Sequence, residues 1–154
     1  KLFIAGTEKG ICRLDFTAKS EEDFLESLIR EYRIPIKKSS QPFSKIIIQL
    51  NHYFTGKQKS FNCKLDLSSG TGFQQRVWKT LMKIPFGKTK SYQWVAKQIG
   101  KPKGSRAVGQ ANGNNPIPII IPCHRVVSAD GGLGGYSGGI EYKKKLLKLE
   151  GVVF

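Results

Sequence analysis

Ser91-Tyr92-Gln93-Trp94-Val95-Ala96-Lys97-Gln98-Ile99-Gly100-Lys101-Pro102-Lys103-Gly104-Ser105-Arg106-Ala107-Val108-Gly109-Gln110-Ala111-Asn112-Gly113 is the stretch on which the fold turns. Ser91 is a hydroxyl cap ahead of Tyr92, Val95, Ala96 and Ile99, which recur at helical spacing until Gly100 stops the run. Lys101-Pro102-Lys103 makes a short turn, and Gly104 to about Gly113 predicts a second helix. Two short helices joined by a tight, glycine-containing turn form a helix-turn-helix. The second helix is rich in small residues (Gly104, Ser105, Ala107, Gly109, Ala111) with Arg106 among them. Such a face lets a backbone approach nucleic acid closely, or lets two helices pack tightly within the domain. Spacing alone leaves both readings open.

Toward the C-terminus, Asn115-Pro116-Ile117-Pro118 opens an apolar run, Ile119-Ile120-Ile121, that reads as extended and leads into Pro122-Cys123-His124-Arg125-Val126. Six glycines fall between Gly131 and Gly139, a density that marks a loop needing unusual backbone angles or close approach. Glu141 to Glu150 predicts a last helix, with Leu146, Leu147 and Leu149 inward, Lys143, Lys144, Lys145 and Lys148 on a solvated face, and Gly151 ending it. Toward the N-terminus, Phe73, Val77, Trp78, Leu81 and Met82 make an amphipathic helix that stops at Pro85-Phe86-Gly87. Ser68 to Gly72 reads as a linker. Before it, Leu2–Gly6 and Ile11–Phe16 predict a hairpin. Glu21 to Tyr32 and Ser44 to Tyr53 predict helices, and Phe61 to Leu67 a strand. The expected architecture is a small α/β domain with its linker over residues 1–70, followed by a mostly α helix-turn-helix domain over residues 71–154.

Charge divides the same way. The 154 residues carry 26 Lys and Arg against 11 Asp and Glu, a formal charge of +15. Residues 1–70 contribute +4 of it and residues 71–154 contribute +11. A polyanionic partner meeting the C-terminal half, or a merely lysine-rich surface, accounts for that balance. No apolar run has the length of a membrane span, and Lys1–Gly6 turns polar too soon for a secretory segment. Three cysteines make no disulfide framework and point to free thiols in a reducing compartment.

Cys123 is the chemical centre. A cysteine after an apolar run is ordinarily an inert small hydrophobe. Here one of only two histidines follows it directly, and an arginine follows that. A histidine near the sulfur can take its proton, and a cationic neighbourhood favours the thiolate. The imidazole then needs an acid to orient it. Of the three acids in the second half, Asp130, Glu141 and Glu150, the last stands beside the apolar face of the final helix and is the best placed. Cys12, Cys63 and His52 lack metal-ligand spacing, and no metal site is expected.

These residues carry a resemblance. Pro122-Cys123-His124-Arg125-Val126 resembles the active-site signature of the O6-alkylguanine-DNA alkyltransferases, the methylated-DNA–protein-cysteine methyltransferases. The likeness runs from Phe73-Gln74 through Val77-Trp78, Ser91-Tyr92, Arg106-Ala107-Val108-Gly109, Ala111-Asn112-Gly113 and Asn115-Pro116 to the signature. It continues through Gly134-Gly135-Tyr136-Ser137-Gly138-Gly139, Lys143 and Glu150-Gly151. It implies a ribonuclease-H-like N-terminal domain and a C-terminal winged-helix or helix-turn-helix DNA-binding domain.

The implied activity is direct DNA repair. An alkyl group passes irreversibly from O6 of guanine, less well from O4 of thymine, to a cysteine of the protein, once per molecule and without a cofactor. By resemblance Cys123 accepts the alkyl group, His124 deprotonates it through a water, and Glu150 holds the imidazole. Tyr92 contacts the base at N3, and Asn115 braces the active-site turn. Leu133, Tyr136 and Ser137 line the base pocket, and Arg125 and Val126 beside the cysteine also belong to substrate binding. Arg106 enters the base stack as the target nucleotide flips out, and Gly104, Ser105 and Ala107 face the DNA with it. The resemblance further implies a monomer acting on double-stranded DNA that carries O6-alkylguanine, without membrane contact, cytoplasmic or, in a eukaryote, nuclear. Two alternatives stand beside it: a Cys123–His124–Glu150 thiol hydrolase that turns over, and an alkyltransferase-like protein that binds lesions without transfer.

Overall fold

Phe3–Thr7 (β1) and Gly10–Asp15 (β2) pair antiparallel, with Phe3 opposite Asp15 and an irregularity between Ala5 and Gly6. Glu21–Tyr32 (α1) follows, its start fixed by the Ser20 side chain, which accepts from the Asp23 backbone, and by three acids in the first turn. Ser44–Phe54 (α2) completes the first part. Ile11, Cys12, Leu14, Phe24, Leu28, Ile46, Leu50 and Tyr53 are buried and form its core. This is one of two compact units in the computed structural model, which describes residues 1–154: Lys1–Asp66 and Leu67–Phe154.

The strand expected over residues 61–67 shrinks to a single bridge, Leu65 with Ile11. The Ile11 backbone is held on both sides, donating to Lys64 O and accepting from Asp66 N. Asp66 then turns its carboxylate to the Thr7 hydroxyl at 2.6 Å. The chain approaches so closely there that a Cβ on Gly10 would lie 2.4 Å from Lys64 O, which only glycine permits.

In the second unit Gly72–Leu81 (α3) begins with a reciprocal cap, Thr71 and Gln74 each bonding the other's backbone. Tyr92–Gln98 (α4) starts on the Ser91 hydroxyl, and Ser105–Gly113 (α5) follows after the turn, giving the expected helix-turn-helix. Trp78 of α3 donates its indole N–H to Ala111 O of α5 at 2.8 Å, so the indole fills the core without stranding its polar atom. Val77, Leu81, Val95, Val108, Ile117 and Ile121 are fully buried around it. Lys90–Ser91 (β3) pairs parallel with Val126–Val127 (β4), which ties the start of α4 to the residues after Cys123. Ile140–Leu149 (α6) closes the unit, with Gly151 at φ +79° beyond it.

Two expectations change here. The Ile119–Ile121 run is a turn: Ile119 has φ +75°, and Ile121 N donates to Ile117 O at 2.9 Å. Asn115 imposes it, accepting from Ile117 N at 2.9 Å and donating to Ile121 O at 2.8 Å. Lys143, expected on the solvated face of α6, is fully buried. Lys144, Lys145 and Lys148 are exposed, as expected.

Candidate active site

Cys123 opens a single 3₁₀ turn, Cys123–Arg125, and is almost completely buried. Along that turn the Cys123 side chain takes one direction, while His124 and Arg125 converge on a single carboxylate. The Cys123 thiol points to the Tyr136 hydroxyl at 3.8 Å. His124 is fully buried, with Nε2 2.7 Å from Glu150 Oε1. Arg125 closes on the same carboxylate: its Nε is 2.9 Å from Oε2, its Nη2 is 3.0 Å from Oε1, and its Nη1 donates to Ile84 O at 2.6 Å. Gly87 N also donates to Glu150 Oε2 at 3.0 Å.

Glu150 therefore sits where a buried charge is tolerable. Burial alone would raise its pKa, but the hydrogen bonds from His124 and Arg125 outweigh it and bring the carboxyl down to about 2. Burial pushes the His124 imidazolium down, against the pull of Glu150, so the ring is favoured neutral. With Nε2–H donating to a permanent carboxylate, Nδ1 is left as a buried acceptor with no protein partner. Burial raises the Cys123 thiol, while hydrogen bonds with Asn115 and Tyr136 and the charge of Lys143 draw it back. At rest the group is a thiol with a proton acceptor waiting in the next residue.

Lys143 supplies that positive charge. Its Nζ donates to Val126 O at 2.6 Å, to Leu133 O, and to Gly135 O at 3.3 Å. One ammonium thus joins the strand after the cysteine to the glycine-rich loop. Burial pushes it down to about 8, with the Cys123 sulfur opposing. Sequence reasoning read this lysine as one of a solvated run. The informative signal was its position two residues from Glu141 and three before Leu146, on the inward stripe of α6.

A cavity of about 670 Å³ lies against the thiol's neighbours, lined by Tyr92 from α4, Arg106, Gly109 and Asn112 from α5, and Gly134, Tyr136 and Ser137 from the loop. The Tyr92 ring rests on the loop so closely that a Cβ on Gly134 would come within 3.1 Å of it, and Gly134 has φ +68°. The Tyr92 hydroxyl donates to Gly135 O at 3.3 Å. Arg106 is exposed at the cavity rim, Ser105 joins the lining, and Ala107 is exposed beside them on α5. Gly104 sits directly before α5.

Three of the expected substrate-binding residues lie elsewhere. Arg125 turns away from the cavity to Glu150 because a buried carboxylate and a buried guanidinium satisfy each other, and it is absent from the cavity wall. Val126 is fully buried in β4, with its carbonyl taken by Lys143. Leu133 is half-buried and meets the site through its carbonyl. Asn112, which the sequence reading quoted only as part of a motif, is the addition: it lines the cavity and donates to Cys123 O at 3.4 Å. No three His, Cys, Asp or Glu side chains cluster as a metal site would need. No helix is long and apolar enough to cross a membrane.

Fold and site together define a helix-turn-helix unit with a buried thiol next to a buried His124–Glu150–Arg125 network. Comparison with known proteins agrees. Residues 72–152 match the family described as 6-O-methylguanine DNA methyltransferase, DNA binding domain, and residues 1–67 match its ribonuclease-like domain. A Methanosarcina barkeri methylated-DNA–protein-cysteine methyltransferase is 45% identical over 151 residues, 97% of this chain and 89% of that protein. A Mycobacterium tuberculosis protein of the same name is 58% identical over 108 residues, 70% of this chain; that match spans 65% of the relative's length. The crystal structure of the M. tuberculosis O6-methylguanine methyltransferase superposes with a TM-score of 0.82 at 46% identity, covering 97% of this chain and 85% of that one. The same protein in complex with DNA gives 0.80. The chain belongs to the 6-O-methylguanine DNA methyltransferase family.

Proposed function

We propose that this protein repairs O6-alkylguanine in duplex DNA, and O4-alkylthymine less well, by moving the alkyl group irreversibly to Cys123, once per molecule. The observation that carries the reading is the buried Cys123 thiol beside the His124–Glu150–Arg125 network, adjoining a cavity with ample room for a nucleobase. The DNA complex of the mycobacterial relative supports the choice of partner.

The reaction follows from the positions of the groups. A thiol proton passes through a water to His124 Nδ1, the acceptor that the protein leaves open. The thiolate sulfur forms a bond to the alkyl carbon as the carbon–O6 bond breaks, and the bonding pair leaves with the guanine. The relay proton, passed back by way of the Tyr92 hydroxyl at N3, neutralises the base. The net change is one thioether gained and one ordinary guanine restored. Glu150, held ionised near 2, keeps the imidazole in the tautomer that accepts at Nδ1. Asn115 holds the turn that presents the cysteine. Tyr136 and Ser137 flank the base and Leu133 backs the loop. Arg125 serves the site through Glu150, and Val126 through the carbonyl that Lys143 grips.

A base inside a duplex cannot reach a buried sulfur, so the nucleotide must leave the stack. Arg106, exposed where α5 meets the cavity, fills the vacated space, while Gly104, Ser105 and Ala107 let the helix lie close to the sugar–phosphate edge. Residues 71–154 form the DNA-binding and transfer domain, and residues 1–70 a separate α/β domain with its linker. The protein works as a monomer in the compartment that holds the DNA, the cytoplasm of a prokaryote or the nucleus of a eukaryote.

Incubation with duplex DNA carrying O6-[³H]methylguanine tests this. The label moves to the wild-type protein, and Cys123→Ala binds the damaged duplex but takes up none. Label transfer to the Cys123→Ala variant refutes the assignment.

A further inference from the structure

Trp94 is an aromatic side chain on the surface of α4 that the reaction does not use. Val95 and Ala96 are fully buried and define the inward face of α4, so at 3.6 residues per turn Gln93, Trp94 and Lys97 lie on the outward one. Gln93 and Lys97 are exposed, and Trp94 is half-buried. The other tryptophan, Trp78, spends its indole N–H on Ala111 O. The bond that Trp94 donates comes from its backbone, to Ser91 Oγ at 3.1 Å, which leaves its indole N–H for a partner outside the protein. Lys90 Nζ stands 5.3 Å over the ring and holds it against the start of α4.

Position and charge say what meets it. Gln93, the residue before it, lines the cavity with Tyr92, and Arg106 stands at the rim of the same cavity. Lys90 pairs with Val126 in the β3–β4 ladder, so this corner of the unit is tied to the turn that carries Cys123. Between Asp66 and Asp130 the sequence holds ten Lys and Arg and no Asp or Glu. A half-exposed indole among cations suits a sugar–phosphate chain. The ring lies on the apolar sugar, its N–H donates to a phosphate oxygen, and the ammonium groups pair with the neighbouring phosphates. We propose that Trp94, with Lys90 and Lys97, grips the sugar–phosphate backbone of the duplex beside the lesion cavity. The inference rests on duplex DNA being the partner in the reading above. The grip is separate from base flipping and sets the register in which a lesion meets Cys123.

An undamaged duplex tests this without flipping or transfer. Trp78 is buried, so acrylamide quenching of the wild type less that of Trp94→Phe reports on Trp94, and saturating duplex abolishes most of it. Trp94→Ala binds about tenfold more weakly, the worth of one charge-assisted hydrogen bond, with its salt dependence unchanged. Trp94→Phe, which keeps a ring but not the N–H, shows the greater part of that loss and serves if the alanine variant does not fold. Lys90→Gln and Lys97→Gln each flatten the slope of log affinity against log salt by about 0.9, one phosphate apiece. Quenching that saturating duplex leaves unchanged, or wild-type slopes in both lysine variants, overturns the inference. So does shielding of Trp94 that grows with protein concentration in the absence of DNA, which assigns the face to protein contact. Methyl transfer is followed separately on a duplex carrying O6-methylguanine. Shielding without transfer removes the transfer reading and leaves this contact standing, whereas binding of neither duplex removes both.

Discussion

Replacing Lys143 with methionine separates stability from activity. The substitution keeps the length of the apolar stem and removes the ammonium that joins Val126 O, Leu133 O and Gly135 O. Two terms oppose each other near neutral pH. Val126 is fully buried, so its carbonyl loses its partner without gaining water, at a cost of about 1–3 kcal/mol. Against this, the wild type keeps a buried cation whose pKa falls from 10.5 to about 8. At about 1.4 kcal/mol per unit that is roughly 3 kcal/mol of burial cost, which the variant no longer bears. The net change at pH 7 is therefore small, within about 2 kcal/mol of zero in either direction. The sign emerges with pH. Between about 8 and 10.5 the unfolded lysine still binds a proton that the folded one has released, so wild-type stability rises with pH through that window. The methionine variant lacks this term. Urea unfolding at pH 7.5, 9 and 10.5, in reductant, should show wild type gaining roughly 3 kcal/mol on the variant. Methyl transfer at pH 7.5 should meanwhile fall at least tenfold, because the glycine-rich loop loses its tie to the strand beside the cysteine. A stability difference that stays flat or shrinks as pH rises refutes the reasoning, and so does unimpaired transfer.

Four further outcomes follow from the same geometry. Glu150→Gln should cost about 3 kcal/mol at neutral pH by leaving Arg125 buried without its counter-charge. Because the folded Glu150 pKa is depressed, its contribution is full above about 4.5 and lost as pH falls toward about 2; acid titration of unfolding should show that limb in wild type and not in the variant. Trp78→Phe should destabilise by about 1–3 kcal/mol in denaturant melts, since Ala111 O loses its buried donor. Gly134→Ala should cost about 1–3 kcal/mol in denaturant melts and slow transfer more than tenfold, because a Cβ there displaces Tyr92 and sits at a φ that disfavours it. Arg106→Ala should weaken base flipping, followed by 2-aminopurine fluorescence beside the lesion, more than it lowers the salt dependence of binding; an unchanged repair rate on duplex DNA counts against the finger role.

Local chemistry made the helix-turn-helix legible. Ser91 caps α4, Gly104 precedes α5, and the apolar spacing between them maps onto buried Val95, Ala96 and Val108. The pairing of His124 with Glu150 was also readable, because few acids stand in the second half and only one follows the apolar face of the last helix. What escaped was set by tertiary contacts. The Ile119–Ile121 run has strand composition, but the Asn115 side chain bends it into a turn, a demand the isoleucines do not advertise. Lys143 belongs by composition to a solvated run. It is buried because three carbonyls converge where its Nζ ends, and those come from segments 8 to 17 residues away. Arg125 reads as a substrate group by resemblance; within the 3₁₀ turn its guanidinium joins His124 on Glu150, while Cys123 faces Tyr136. Asn112 carried no signal beyond its motif, since nothing in the sequence shows that its amide will meet Cys123 O.

Intact mass of the protein after incubation with excess duplex DNA carrying one O6-methylguanine tests the central claim most directly. The account predicts a single added methyl, about 14 Da, mapped to Cys123 and saturating at one per molecule as guanine is restored. An unmodified mass from folded, reduced protein, or guanine restored in molar excess over protein, contradicts it.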